Sequence, residues 1–291
     1  MSDYVIVTDS TSDIPYNVLE ELGVEVVPME FIMDEKVYSH YADAREMSYS
    51  TFYEYIKAGK KASTTQINYF TYESVFRPIL ESRKDILYIA FSSGLSGTYQ
   101  ASTLVIADMK EEFTERSIFA IDSLSASVGE GLLVYLAAKK QEEGCEIEEV
   151  AEWAAKNRRN MCHWFVVDDL HHLKEGGRIS ALQATLGSAL NLKPMLTVDD
   201  AGKLITSSKI RGTKKIIDVF IEKFMKDAED KKNQTVVIGH ASNPEMADIL
   251  KARLLELNLV AHVIISDIGP IIGTHVGAGM VGLAFSGTRT I

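Results

Sequence analysis

Three predicted strands end in clusters of carboxylate and hydroxyl side chains that could bind a ligand. Because the carboxyl ends of parallel strands meet along one edge of a sheet, these clusters are expected to lie close together. The alternative is that the Asp and Ser residues only cap the helices that follow. The clusters are Asp9-Ser10-Thr11-Ser12, Ser92-Ser93-Gly94-Leu95-Ser96 and Asp122-Ser123.

Two further hydroxyl-rich segments are candidates for holding an anion. Ser96-Gly97-Thr98 lies where a helix is predicted to begin, and free backbone N–H groups there suit a carboxylate or a phosphate. A sugar phosphate or nucleotide phosphate is therefore one candidate ligand. Ser63-Thr64-Thr65-Gln66 lies between two predicted helices and is either part of a site or an ordinary N-cap.

The segment from Gly269 to Gly277 surrounds Thr274 and His275 with glycines and apolar residues. Glycine lets the backbone approach a ligand closely. His275 could donate a hydrogen bond to a carboxylate, or it could be a core histidine satisfied by the backbone. The residues leave both interpretations open.

A serine hydrolase is an alternative function. Ser92, Ser93 or Ser96 acting with His275 and an Asp would make an esterase or thioesterase. The segment lacks the leading glycine of the GxSxG motif, because Phe91 precedes Ser92. Hydrolysis therefore stays a second hypothesis.

Several motif matches carry no chemistry. Gly277-Ala-Gly279-Met-Val-Gly282 fits GxGxxG but stands too near the end of the sequence for the helix and acidic residue that a dinucleotide site needs. The sequence contains no GxxxxGK[ST] and no HExxH. His171-His172 beside Asp168-Asp169 is interpreted as a solvated loop, so no metal and no cofactor are expected.

The composition is that of a globular protein with an acidic surface. Hydrophobic residues make up 46% and charged residues 24%, and 30 Lys and Arg against 41 Asp and Glu give a net charge of −11. This charge repels phosphate backbones, so nucleic-acid binding is not expected. Cys145 and Cys162 form no disulfide framework and the N-terminus shows no secretion signal, which predicts a cytoplasmic protein.

Apolar strands alternate with helices in the first half, which predicts a mostly parallel sheet covered by helices on both faces. Val24–Met29 is predicted as one strand, Leu182–Leu190 as a helix, and Asp199–Gly202 as the turn of a hairpin. Residues 268–288 contain only one ionisable side chain, but their glycines predict buried loop and strand rather than a membrane span. We place a domain boundary near residue 160.

Taken in order, a series of motifs resembles the DegV family, the bacterial fatty-acid-binding proteins that serve as acyl-carrying subunits of fatty acid kinase. The resemblance covers essentially the whole chain. The motifs are Thr8-Asp9-Ser10-Thr11-Ser12-Asp13, Thr64-Thr65-Gln66, Ser92-Ser93-Gly94-Leu95-Ser96-Gly97-Thr98-Tyr99-Gln100, Asp122-Ser123, Asp168-Asp169-Leu170, Gly176-Gly177-Arg178-Ile179-Ser180, Lys193-Pro194, and Gly269-Pro270 through His275 and Gly277.

The resemblance implies a two-domain α/β fold, with an N-terminal α/β/α domain over residues 1–160 and a C-terminal α/β domain over 161–291. About the last 20 residues are expected at the interface between the two. It implies a non-catalytic protein that binds a long-chain fatty acid such as palmitate between the domains and serves a fatty acid kinase catalytic subunit. It further implies that Thr64 and Ser96 hold the carboxylate, with Thr65, Ser93 and His275 close by, and that Arg178 is an exposed arginine that docks the kinase.

Overall fold

The computed structural model describes residues 3–180 and 192–290, which fold around three β-sheets. The helix predicted over 182–190 lies outside these residues. The strands are β1 (Tyr4–Asp9), β2 (Glu25–Val27), β3 (Met29–Met33), β4 (Lys36–His40), β5 (Ala62–Thr64), β6 (Asp85–Ala90), β7 (Ile118–Asp122), β8 (Met161–Val166), β9 (Leu192–Val198), β10 (Leu204–Arg211), β11 (Thr235–His240), β12 (His262–Asp267) and β13 (Val281–Ser286). The α-helices are α1 (Tyr16–Leu22), α2 (Tyr49–Lys57), α3 (Tyr69–Glu81), α4 (Thr98–Glu112), α5 (Val128–Glu142), α6 (Ile147–Asn157), α7 (His171–Glu175), α8 (Thr213–Asp227), α9 (Pro244–Glu256) and α10 (Pro270–Val276).

The first sheet is parallel throughout, with the strand order β2-β1-β6-β7. All six residues of β6 are buried, and in β1 only Val5 is partly exposed. Helices α3 and α4 pack against this sheet as one pair, and α5 and α6 as another. Strands buried on both faces are what a helix-covered parallel sheet requires. The predicted mostly parallel α/β architecture is therefore confirmed.

A small antiparallel sheet, β4-β3-β5, was not predicted, and the single strand expected over Val24–Met29 is wrong. The chain leaves the parallel sheet after Val27 and enters the antiparallel sheet at Met29. Pro28 stands between the two strands, and proline has no N–H to donate to a strand ladder. In this sheet β5 pairs with β3, with Thr64 opposite Phe31. Thr64 is therefore the last residue of a strand rather than part of a loop.

The second large sheet contains six strands in the order β10-β9-β8-β13-β11-β12. Strands β11 and β12 are parallel, and the other neighbours are antiparallel. The predicted hairpin is present, because β9 and β10 flank the turn that ends at Gly202, whose φ is 73°. That positive φ is readily adopted by glycine.

The glycine-rich end of the chain forms a short helix and a central strand. Pro270 occupies the first turn of α10, where its missing N–H costs nothing, and Gly277 ends the helix with φ 71°. The predicted strand is β13, which lies between β8 and β11; the helix was not predicted. Within residues 3–180 and 192–290, no helix has both the length and the apolar character to cross a bilayer.

Helix α5 joins the two large sheets. It packs against β1 and β6 of the first sheet and against β8, β11 and β13 of the second. One continuous apolar core contains residues from both sheets, including Leu87 and Phe165. The domain boundary near residue 160 stays a prediction, since α5 and this core lie across it.

Candidate functional site

A cavity of about 210 Å³ lies between the second large sheet and the segments that follow β6 and β7 of the first sheet, beside the small sheet and α10. A single buried water needs about 10–15 Å³, so there is room for on the order of fifteen groups of that size. Most of its walls are apolar. The apolar lining residues are Met29, Phe91, Leu95, Ala126, Val128, Trp164, Phe165, Leu173, Leu204, Ile271, Ile272, Val276 and Met280.

The polar part of this cavity includes Thr64 and His275, which contact each other. Thr64 Oγ1 lies 3.0 Å from Nε2 of His275, a hydrogen-bond distance. The ring of His275 packs directly over Gly176, where a Cβ would collide with Nδ1. Nδ1 is buried and has no hydrogen-bond partner among the described residues. Burial, followed by the nearby Arg178 and His172, lowers the pKa of His275 to about 4, so the ring is neutral at pH 7.

Ser96 also lines the cavity, just before the start of α4. Its Oγ lies 2.8 Å from Oγ1 of Thr98 and accepts a hydrogen bond from the Thr98 N–H at 3.3 Å. Gly97 lets Gln66 approach, because a Cβ on Gly97 would collide with Oε1 of Gln66. The segment after Thr64 therefore lies close to the N-terminus of α4, where backbone N–H groups and the helix dipole favour an anion.

Arg178 is partly buried and lines the cavity, which differs from the exposed position expected from the resemblance. Its Nε donates to the Leu95 carbonyl at 3.3 Å and its Nη1 donates to the Gly176 carbonyl at 2.5 Å. Burial lowers its pKa, but a guanidinium stays charged in proteins. In residues 3–180 and 192–290, no carboxylate forms an ion pair with it, so the cavity wall carries an uncompensated cation.

The other predicted residues divide between lining and supporting positions. Thr65 lines the cavity and is exposed. Ser93 does not line it; its backbone N–H donates to Oδ1 of Asp122 at 3.1 Å. Ser92 is buried and donates its hydroxyl hydrogen to the Gly202 carbonyl at 2.9 Å. None of these serines pairs with His275, whose Nε2 faces Thr64 instead.

The carboxylates at the strand ends have structural roles and lie outside the cavity lining. Asp9 is fully buried, and it accepts hydrogen bonds from the Phe91 N–H at 2.9 Å and from the Tyr88 hydroxyl at 3.0 Å. Asp122 accepts from the backbone N–H groups of Ser93 and Leu124, each at 3.1 Å. Asp9 also caps the short turn at Ser10–Ser12 by accepting from the Thr11 N–H, so the capping interpretation holds for Asp9 but not for Asp122, whose bonds cap no helix. Ser96 is the polar residue of the three clusters that lines the cavity.

A second, polar pocket of about 450 Å³ adjoins the apolar cavity. The two share Thr64, Arg178 and His275, so these side chains form the wall between them. Lys60 and Lys61 from the loop before β5 line its outer side. Sequence reasoning missed these lysines, because nothing in a loop of ordinary composition marks them as neighbours of His275.

His171 and His172 lie in the short helix α7 and also line the polar pocket. His171 is exposed and lies 3.4 Å from Glu175, while Asp168 forms an ion pair with Lys193. Among the described residues, no cluster of His, Cys, Asp and Glu side chains has the arrangement of a metal site.

The chain is similar to one protein family along almost its whole length. A family model described as "Uncharacterised protein, DegV family" matches residues 3–288. A DegV domain-containing protein of Clostridium perfringens is 36% identical over 287 residues, which is 99% of this chain and 98% of the relative. The solved structures that share the fold include two from this family. A Thermus thermophilus DegV family protein described by its fatty acid binding has a TM-score of 0.88 at 30% identity, covering 98% of this chain and 99% of that one. Bacillus subtilis DegV, described as a fatty acid binding protein, has a TM-score of 0.84 at 27% identity, covering 99% and 100%.

Proposed function

Because the chain belongs to the DegV family, we propose that it binds one long-chain fatty acid, such as palmitate, and presents the carboxylate to a separate kinase. The observation that carries the proposal is the cavity, which has apolar walls and a polar edge formed by Thr64, Ser96, Arg178 and His275. A fatty acid has the matching chemistry, with a long hydrocarbon chain and a single carboxylate.

The hydrocarbon chain supplies most of the binding free energy. Each buried CH₂ contributes about 0.8 kcal/mol, so ~14 of them give a gross term on the order of 11 kcal/mol before ordering costs are subtracted. The carboxylate must be accepted by a protein whose net charge is −11. The guanidinium of Arg178 and the hydroxyls of Thr64 and Ser96 supply that local compensation.

The polar pocket gives the kinase its access to the carboxylate. A head group at the wall formed by Thr64, Arg178 and His275 is buried on its chain side and reachable from the pocket. The sequence has no GxxxxGK[ST] segment for binding ATP. We therefore place phosphoryl transfer, which would convert the carboxylate to an acyl phosphate, on the separate catalytic subunit, with Arg178 at the docking surface.

Titration of the delipidated protein with palmitate tests this function. We expect saturable binding of one equivalent in the wild type and loss of binding in Ile272→Trp, because the indole would fill the cavity that Ile272 lines. The matched control is Ile249→Trp, since Ile249 is 48% exposed on α9 and lies outside the cavity lining. No palmitate binding by the wild type, or unchanged binding by folded Ile272→Trp, would overturn the proposal.

The esterase alternative predicts that one of the three serines is a nucleophile activated by His275. Ser92 donates to a backbone carbonyl, and Ser96 lies beside Thr98 rather than beside His275. Without a base within hydrogen-bond distance, a serine hydroxyl is a weak nucleophile. The protein should therefore remain unlabelled by a fluorophosphonate probe, and covalent labelling of Ser92, Ser93 or Ser96 would support hydrolysis.

A further inference from the structure

The apolar cavity contains a second buried histidine that the head-group site does not use. His163 lies on β8, is only 4% exposed, and is among the lining residues. Neither of its ring nitrogens makes a hydrogen bond of ordinary geometry to a described residue, although the ring does contact the Met161 backbone. Sequence reasoning overlooked it because it stands in a strand of otherwise apolar residues, Met161-Cys162-His163-Trp164-Phe165.

The protein makes room for this ring. A Cβ on Gly129, at the start of α5, would collide with Nδ1 of His163. Glycine at this position lets the imidazole approach the helix closely, and the same ring lines the cavity. A fully apolar side chain would fill the same space without burying two polar atoms, and a buried polar atom without a good hydrogen bond costs stability.

The ring is neutral under all ordinary conditions. Burial, followed by the Arg289 cation, lowers the pKa of His163 to about 3, while a weak hydrogen-bonding contact with the Met161 backbone acts in the opposite direction. A neutral imidazole has one N–H donor and one acceptor nitrogen. The neutral ring itself offers a carboxylate no charge, so its chemistry fits an uncharged hydroxyl better than a second carboxylate.

We infer that the cavity selects a long-chain fatty acid that carries a hydroxyl group on its hydrocarbon chain, with His163 as the residue that binds the hydroxyl. A hydroxyl can donate to the free ring nitrogen or accept from the ring N–H, so it fits either tautomer. A plain hydrocarbon chain offers neither nitrogen a hydrogen-bond partner. This inference rests on the proposed function, because it assumes that a fatty acid occupies the cavity.

Competition on the delipidated wild-type protein tests the inference without any substitution. Radiolabelled stearic acid is displaced by unlabelled stearic acid and by monohydroxystearic acids with the hydroxyl at successive positions along the chain. We expect at least one positional isomer to bind about 5- to 10-fold more tightly than stearic acid. This is the contribution expected of one hydrogen bond to a buried polar group. If stearic acid binds and no isomer is preferred, the inference is overturned; if stearic acid does not bind, the proposed function fails.

Two variants then assign the preference to His163. His163→Leu should abolish the preference, measured as the ratio of each isomer's Kd to that of stearic acid in the same variant, and His163→Gln, which keeps a donor and an acceptor, should retain part of it. His40→Leu is the matched control, because His40 is 3% exposed and has an unpartnered Nδ1 but lies outside the cavity lining. A preference that persists in folded His163→Leu would contradict the inference.

Discussion

The hydroxyl of Thr64 lies 3.0 Å from Nε2 of His275, and this contact joins two segments that are 211 residues apart in sequence. It brings the end of β5 in the small antiparallel sheet against α10 at the end of the chain. Arg178 lines the same wall between the apolar cavity and the polar pocket. The proposed head-group site therefore depends on the packing of both halves of the chain.

Removing hydroxyls from this wall should weaken fatty-acid binding. Thr64→Val keeps the shape of the side chain and removes one donor, so we expect the Kd for palmitate to rise about 10-fold, the value of a hydrogen bond to a charged group. Combining it with Ser96→Ala should weaken binding further. Titration calorimetry measures both effects, with Thr103→Val as control because Thr103 is exposed on α4 and outside the lining. Unchanged affinity in the double variant would exclude these hydroxyls from the site.

Arg178 should affect both fatty-acid binding and phosphorylation by the kinase, and these two steps can be measured separately. Arg178→Ala removes the uncompensated cation from the cavity wall, so palmitate should bind several-fold more weakly, and the difference should shrink as salt is added. At saturating palmitate, where loading is complete, a fatty acid kinase catalytic subunit should still phosphorylate the variant more slowly. Arg211→Ala, at an exposed position on β10, is the control. A wild-type rate at saturation would remove Arg178 from the proposed docking surface.

The buried carboxyl of Asp13 should make stability depend on pH. Its oxygens accept hydrogen bonds from the Gly269 N–H at 2.9 Å and from the Ser127 hydroxyl at 2.6 Å. Burial raises its pKa from 3.8 to about 8. A folded-state pKa above the unfolded value means that the folded chain binds more protons between these pH values. This contribution to stability is therefore complete below about pH 4 and is lost as pH rises towards 8.

Asp13→Asn isolates this effect. The amide cannot ionise, so between pH 5 and pH 8 the wild type should lose stability relative to the variant, by at most about 1.4 kcal/mol per pH unit. Urea unfolding at several pH values measures the difference, and Asp248→Asn, at an exposed carboxylate on α9, should keep the wild-type slope. Parallel stability curves for the wild type and Asp13→Asn would contradict the expected coupling.

The parts of the fold that the sequence predicts are those with local signals. The buried runs of β1 and β6 alternate with helices, and the turn ending at Gly202 marks the hairpin. In the small sheet, β5 pairs with β3 from a distant segment, while the local hairpin of β3 and β4 turns at Asp34-Glu35, which lacks the glycine of a typical two-residue turn. Pro28 marks the break between β2 and β3. Helix α10 escaped because its glycines favour other conformations and only tertiary packing stabilises it.

The candidate site, like the fold, could be predicted from the sequence only where residue types or motifs give a local signal. Thr64, Ser96 and His275 were picked out from their residue types and from the resemblance, and all three line the cavity. Ser93 lies only three residues from Ser96 but directs its backbone to Asp122, a difference that depends on the exact turn after β6. The cavity position of His163 follows from strand register and from the close approach of Gly129, neither of which composition or spacing encodes.

Native mass spectrometry of the purified protein, compared with the denatured protein, tests the central claim most directly. We predict that the native mass exceeds the denatured mass by that of one long-chain fatty acid, and that Ile272→Trp, in which the cavity is filled, shows no such excess. A native mass equal to the denatured mass, in protein that also fails to take up added palmitate, would contradict the account.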